Sequence, residues 1–363
     1  MSSRRSILGS ILIVSVLFAG VTGMVVISNQ YDPPRLAVFV TGVGLEDYGF
    51  AAQTESGIKM AQKETTLYYD VFVTTPAQAV QMMKDVSGQE RYELVIAIGN
   101  DLATAVSTVA QLYPRQKFAL IGGNATEATN VFSAYFAVEQ AAYLSGIVAA
   151  HLVAQSGYTR VIGILASFQT DPEISKIVTA FKNGVTRANT TYGLNVRFGP
   201  ETYLQSTRDT TMAQFYAYQM FTTQNVSLIF APVRASLPGV RTAMENARAY
   251  FQTHGQPNRL PLVIAEGMNH EIYGLPNPSV LTGQTWIPTS VVTAANNVTN
   301  MIVSATLWNE FMSGTFVYGL SNSGVGITPF VYSTTYIQNL QLLMERINEH
   351  KQAIINGLID PLA

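Results

Sequence analysis

The sequence predicts an α/β protein whose two lobes are each built on a doubly wound parallel sheet, with a hydrophobic helix at the N-terminus. Three observations carry this expectation. The chain has 363 residues, too many for one ordinary domain and comfortable for two. Short apolar runs alternate with helix-patterned stretches from residue 36 to 156, and the alternation resumes from 160 to 265. Ahead of both, Ile7 to Ile27 runs 21 residues without a charge.

As a helix, that first segment spans roughly 31 Å, about one bilayer core. Arg4 and Arg5 precede it, which keeps them in the cytosol and places the rest of the chain outside. Residues 1–27 therefore read as a signal anchor or as a cleaved signal peptide. The latter has a shorter apolar region, about 7–15 residues, and small residues at the cut. Residues 28–35, Ser-Asn-Gln-Tyr-Asp-Pro-Pro-Arg, form a linker, because the two prolines stop a helix from continuing.

The elements follow in order. Leu36–Thr41 is a buried strand before glycines, Phe50–Glu64 a helix, Leu67–Val73 a strand, and Pro76–Val86 a helix opened by proline. Leu94–Ile98 is a strand, Asp101–Tyr113 a helix with Asp at its start, Phe118–Ile121 a strand, and Val138–Ser156 a long helix. Strands at Arg160–Leu165, Asn195–Phe198, Leu228–Ala231 and Leu262–Ala265 then enclose helices at Glu173–Asn189, Asp209–Thr223 and Leu237–Thr253. Open parallel sheets bind ligands beyond the carboxyl ends of their strands, so the loops after the strands are where function is sought.

Composition narrows the function. Charged residues are only 12%, and polarity comes from 59 Ser/Thr and 20 Asn, a surface suited to an exported protein. No basic run tracks a phosphate backbone, so no nucleic-acid partner is expected. The absence of cysteine excludes disulfides, thiolate metal sites, cysteine nucleophiles and a lipid-modified cysteine anchor. The four Asn-X-Ser/Thr sequons are about what chance supplies in so Asn-rich a chain. Phosphate-loop, GxGxxG, HExxH and GxSxG motifs are missing, and no nucleophile–base pair is visible, so no enzyme and no cofactor are expected. His151, His254, His270 and His350 are scattered. The one acidic–His cluster, Glu266-Gly-Met-Asn-His-Glu271, offers about two ligands where a metal needs three or four.

Three stretches at strand ends resemble the basic membrane protein family of solute-binding proteins, which includes purine nucleoside receptors of ABC importers. The first is Gly42-Val-Gly-Leu-Glu-Asp-Tyr-Gly-Phe50, with Gly57 beyond it. The second is Val138-Glu-Gln-Ala-Ala-Tyr-Leu-Ser-Gly146. The third and most specific is Tyr318-Gly-Leu-Ser-Asn-Ser-Gly-Val-Gly-Ile-Thr-Pro-Phe330. Weaker matches at Gln111–Phe118 and Ile355–Pro361 extend the resemblance over residues 36–363. It implies a type I periplasmic-binding fold, two lobes joined by a hinge with a ligand trapped between them. Lobe 1 is then expected over 36–157 with 285–315, and lobe 2 over 158–284 with 316–363.

The resemblance also implies a site. Asp47 and Phe50 match the family's first loop, where the acid bonds a purine and the ring stacks on it; such stacking adds about 0.5–1.5 kcal/mol to area burial. The competing readings are helix capping for Asp47 and core packing for Phe50. Other positions depart from the family: Ala51, Thr207, Leu237 and Gly267 stand where it carries Asn, an aromatic, Gly and an acid. Glu266 and Asn269 flank the last of these. Trp286 replaces a Lys of the nucleoside-binding branch and resembles a nucleobase-binding one, so an aromatic ligand sandwiched by Phe50 and Trp286 is expected. Arg234, in a loop where the family has small residues, is read as a contact for an anionic group of the ligand or as a solvated surface residue. Asn100 and Asp101 follow the third strand and line the cleft or cap the next helix. The implied function is extracytoplasmic capture of a purine nucleoside or nucleobase-like solute, with an ABC permease as partner. The alternative is a membrane-anchored sensor module coupled to a receptor.

Overall fold

A computed structural model describes residues 32–363 and, before them, the backbone of Leu12–Phe18 (β1) and Val21–Ile27 (β2). The helix expected over 7–27 falls on this N-terminal part, and residues 7–11, 19 and 20 lie outside the described ones. What is described there is extended. β1 and β2 pair antiparallel, with Leu12 opposite Ile27 and Phe18 opposite Val21. Ten of the 21 residues are β-branched, a composition that suits paired strands as well as a bilayer helix. Among the described residues, no helix is long and apolar enough to cross a membrane.

The first lobe begins with β3 (Arg35–Thr41), α1 (Phe50–Glu64), β4 (Tyr68–Thr74), α2 (Pro76–Ser87), β5 (Leu94–Ile98), α3 (Ala103–Leu112), β6 (Phe118–Ile121) and β7 (Val131–Phe136). Its sheet runs β4-β3-β5-β6-β7-β13, every pair parallel, where β13 is Gly314–Tyr318. The strands are apolar without a polar face because both faces are covered. Leu36, Val38 and Val40 of β3 turn to the side of α1, while Ala37 and Phe39 turn to α2 and α3. Each fully buried Leu, Val or Phe here contributes about 1.5–3 kcal/mol. α8 (Ala295–Leu307) lies against α1. The two helices approach closely: a Cβ at Gly57 would collide with the Asn296 carbonyl oxygen.

The second lobe holds α4 (Val138–Ala154), β8 (Val161–Ala166), α5 (Pro172–Tyr192), β9 (Arg197–Tyr203), α6 (Thr210–Thr222), β10 (Leu228–Ala231), α7 (Leu237–Thr253), β11 (Leu262–Gly267), β12 (Ser290–Thr293), β14 (Val325–Ile327) and α9 (Leu340–Ile355). Its sheet order is β9-β8-β10-β11-β12-β14, parallel except for the last pair. α4, α5 and α9 cover one face, α6 and α7 the other. α5 shows local coding at both ends. Asp171 caps it by accepting from the Glu173 and Ile174 amides at 2.9 and 3.5 Å, Pro172 opens it, and Gly193 closes it at φ 62°.

The chain crosses between lobes three times, at Ala137, Ala294 and Gly319. These points are displaced from the expected boundaries at 157/158, 284/285 and 315/316. The largest displacement concerns α4. It seats on α5 of lobe 2, where Gly146 and Gly184 let the helices touch: a Cβ on either would meet the carbonyl oxygen of Phe181 or Tyr143. The crossings are bonded to one another. The Ala137 amide donates to the Tyr318 carbonyl at 2.9 Å and the Ala294 amide to the Gly324 carbonyl at 2.8 Å. Asn322 braces the third by accepting from the Gly319 and Gly324 amides at 2.9 and 3.2 Å and donating to the Val317 carbonyl. The Tyr318–Phe330 motif is thus hinge architecture.

Candidate functional site

Loops at the carboxyl ends of strands from both sheets meet where the two lobes touch, a junction called the crevice below. Asp47 follows β3, Asp101 follows β5, Asp171 follows β8, Arg234 follows β10, and Glu266 ends β11. Lobe 1 therefore contributes two carboxylates, and lobe 2 contributes two carboxylates and a guanidinium.

Asp47 is 6% exposed, and its side chain is committed to α1. One oxygen accepts from the Gly49 and Ala52 amides at 2.8 and 3.0 Å, the other from the Ala51 amide at 2.9 Å. It neutralises the positive end of that helix and fixes its first turn. Phe50, the first residue of α1, is half-buried, edge-on to Phe136 at 5.4 Å. Phe136 in turn stacks on Tyr318 at 5.2 Å, so the Phe50 ring leans on residues that adjoin two of the crossings.

Asn100 and Asp101 are exposed at the lobe 1 rim. The Asn100 side-chain oxygen accepts from the Asn124 amide at 3.1 Å, and Asp101 accepts from the Thr41 hydroxyl at 2.7 Å. Asn269 is exposed and its side-chain oxygen accepts from the Glu271 amide at 3.0 Å, a local turn bond. Trp286 stands apart from the group. It is 6% exposed, part of the lobe 2 core, and the Arg241 guanidinium lies 4.8 Å from its ring centre. Arg241 is itself pinned to Glu245 at 3.0 Å and to the Tyr273 carbonyl at 2.9 Å. Buried in this core with a cation against its ring, Trp286 shows little surface to a ligand.

Arg234, after β10, has a left-handed backbone at φ 52° and about a quarter of its side chain open to solvent. Its Nη2 lies 3.9 Å from an Asp171 oxygen. Desolvation works against the charged guanidinium, yet Glu266, Asp171, Asp47 and Asp101 together hold its pKa above the ordinary value. For Glu266, burial raises the pKa, Arg234 opposes the shift, and Asp47 and Asp171 add to it. Arg234 is thus embedded among carboxylates of both lobes. Asp171 escaped the sequence reading because the Asp-Pro that opens α5 reads as a helix cap, which it also is.

The lobes touch beside this group. Gln53 of α1 donates to the Gly267 carbonyl and accepts from the Thr293 hydroxyl at 3.0 Å. His270 bonds the Tyr48 carbonyl through Nε2 at 3.0 Å. Gly267, at φ 109°, sits so close that a Cβ there would collide with the Gly49 Cα. His270 is 3% exposed, and burial drives its pKa down to about 4 against the raising effect of the Tyr48 and Glu266 carbonyls. Neither His270, Gln53 nor Asp171 was singled out from sequence; the acidic–His cluster after β11 was the only signal for the first. Among the described residues, no group of three or more His, Asp or Glu is arranged to hold a metal ion. Two open cavities of about 380 and 370 Å³ lie elsewhere, beside α3 and beside the C-terminus, and share none of these residues.

The family model for Bmp, described as ABC transporter substrate-binding protein PnrA-like, matches residues 34–360. The chain is 23% identical over 299 residues to the ABC transporter nucleoside-binding protein BmpA of Lactococcus lactis, covering 81% of each. In fold it is similar to an ABC transporter solute-binding protein of Aeropyrum pernix, with a TM-score of 0.72 and 21% identity over 91% of this chain and 93% of that one. It is also similar to a transcriptional activator of the comK gene from Bacillus halodurans, with a TM-score of 0.61 and 16% identity over 90% and 99%.

Proposed function

Because the chain belongs to the Bmp family of PnrA-like ABC-transporter substrate-binding proteins, we propose that it captures a purine nucleoside or nucleobase-like solute between its lobes, outside the cytoplasm, and hands it on unchanged to a permease. The observation that carries this reading is the convergence of Asp101, Phe50, Arg234 and Glu266, from two sheets, on one crevice beside a three-stranded crossing. The nucleoside-binding relative BmpA supports the ligand class. No nucleophile–base pair accompanies these groups, and capture with release asks for none.

In this reading each side chain has a distinct task. Phe50 offers a ring face to a flat ligand. Asp47 acts indirectly, by fixing the start of α1 and with it the Phe50 ring. Asp101 and Glu266 accept ligand N–H or O–H groups from opposite sides. A ligand bonded to both lobes favours the closed arrangement, because open lobes satisfy only half of its groups. Trp286 is assigned to the lobe 2 core. Residues 7–27 behind Arg4 and Arg5 serve as the export signal or tether.

The test is calorimetric titration with adenosine, guanosine, adenine and guanine, alongside mass spectrometry of ligand released from the purified protein. At least one purine is expected to bind, and Phe50→Ala should weaken it by roughly tenfold, the loss of a well-seated aromatic contact. Absence of binding to all four, with a non-aromatic ligand in the released fraction, overturns the purine reading. A second reading is a membrane-anchored sensor, in which capture is coupled to a receptor. Co-purification of a receptor in place of a permease selects it.

A further inference from the structure

The surroundings of Arg234 define which charge the crevice accepts. A lone arginine among neutral groups would attract an anion, one of the two roles the sequence leaves open for Arg234. The structure places the guanidinium 3.9 Å from Asp171, with Glu266 on the same lobe and Asp47 and Asp101 on the other. Asp171, Glu266 and Asp101 come from strand ends beside one cation, while Asp47 is turned into the start of α1, so carboxylates outnumber the guanidinium there. Asp171 does not move freely to release its partner, because its other oxygen caps α5 through the Glu173 and Ile174 amides. Arg234 is similarly constrained, since a non-glycine residue at φ 52° is held there by the short turn Arg234–Ser236 that opens α7.

We propose that Asp171 and Glu266 form a charge gate: by holding Arg234 among carboxylates, they make the crevice accept neutral or cationic solutes and reject phosphorylated ones. The inference rests on solute capture in this crevice and adds its charge selectivity. A dianionic phosphate brought to this place meets repulsion from these carboxylates in a partly desolvated setting, where such interactions are stronger than in water. To gain the guanidinium it must displace a fixed carboxylate partner. A nucleoside or nucleobase offers N–H and O–H donors to the same carboxylates and meets no such barrier.

Asp171→Asn keeps the helix cap, because Asn caps as well as Asp, and Glu266→Gln keeps shape; the double variant therefore removes charge with little cost in fold. Adenosine and adenosine 5′-monophosphate are titrated into wild type and variants at constant ionic strength, and inorganic phosphate is scored by its shift of the thermal midpoint. Wild type should prefer adenosine to its monophosphate by roughly tenfold or more and show no stabilisation by phosphate. The double variant should bind the monophosphate more tightly than wild type does and be stabilised by phosphate, the gain of a charge-assisted bond being roughly tenfold or more. Adding Arg234→Asn, which tolerates the left-handed backbone, should abolish the gain. Equal wild-type affinity for both adenosine forms, phosphate stabilisation of wild type matching that of the double variant, or no gain in that variant overturns the proposal. If wild type binds no adenosine at all, the purine reading falls, and the phosphate arm still decides the charge gate.

Discussion

His270 shows how one buried ring ties the two lobes to solution pH. Its ring is nearly sealed from water and bonds the Tyr48 carbonyl across the crevice, and its pKa falls from 6.5 to about 4. Between those values the unfolded chain carries a proton that the folded chain refuses. The stability of the neutral ring is therefore whole above about pH 6.5 and is lost as pH falls toward 4. The gap corresponds to about 3 kcal/mol at its acid limit. Urea unfolding at pH 7.5 and at pH 5 should show a drop in wild type that is shallower in His270→Gln. Equal slopes in the two proteins would remove His270 from the account. Neighbouring positions show where sequence reasoning stops. Asp47 and Phe50 were visible because they sit in a patterned loop after a strand. Which way a carboxylate turns, toward a ligand or toward its own helix, depends on three amide positions that no spacing encodes. Trp286 misled for a related reason: a tryptophan in a strand-end loop looks like a stacking platform until Arg241, 45 positions earlier, is found over its ring.

The start of α1 is where a local element sets the geometry of the crevice. Asp47 accepts three amides of the first turn, Gly49 carries no side-chain cap of its own, and Phe50 and Gln53 both project from that turn. Removing the cap should cost about 1–2 kcal/mol. Asp47→Ala is therefore expected to lower the unfolding free energy by that amount, while Asp47→Asn, still able to accept, should stay within about 0.5 kcal/mol of wild type. Identical stability of the two variants would contradict the capping role. Elements such as β3, β5 and β8 were legible because a strand buried on both faces has to be apolar throughout. α4 was equally legible as a helix, but its lobe was not. Twelve of its 17 residues are buried, so it shows no single apolar face to point at a partner. Its attachment to α5 depends on the matched small residues Gly146 and Gly184, from segments nearly 40 positions apart.

If the lobes close about their three bonded crossings as the proposed capture requires, the contacts beside the crevice set how far they close. Gln53 links α1 to the ends of β11 and β12, and Gly267 brings its backbone against Gly49 from the opposite lobe. Both residues are buried where the lobes meet, so their substitution should act on the balance between open and closed forms as well as on unfolding. Gln53→Ala removes the link without adding bulk. Gly267→Ala inserts a methyl where the Gly49 Cα lies and strains a backbone at φ 109°, a cost on the order of 1–3 kcal/mol. Apparent affinity scales with the closed population, so both variants should bind a purine more weakly and release it faster. X-ray scattering should give each a larger radius of gyration than wild type, which for the span from residue 32 to 363 is expected at about 20 Å. Saturating purine should restore the compact value in Gln53→Ala, where closure is only less favoured, and fail to do so in Gly267→Ala, where the added methyl holds the lobes apart. Unchanged dimensions in both variants, with or without purine, would mean that the lobes do not move about these crossings.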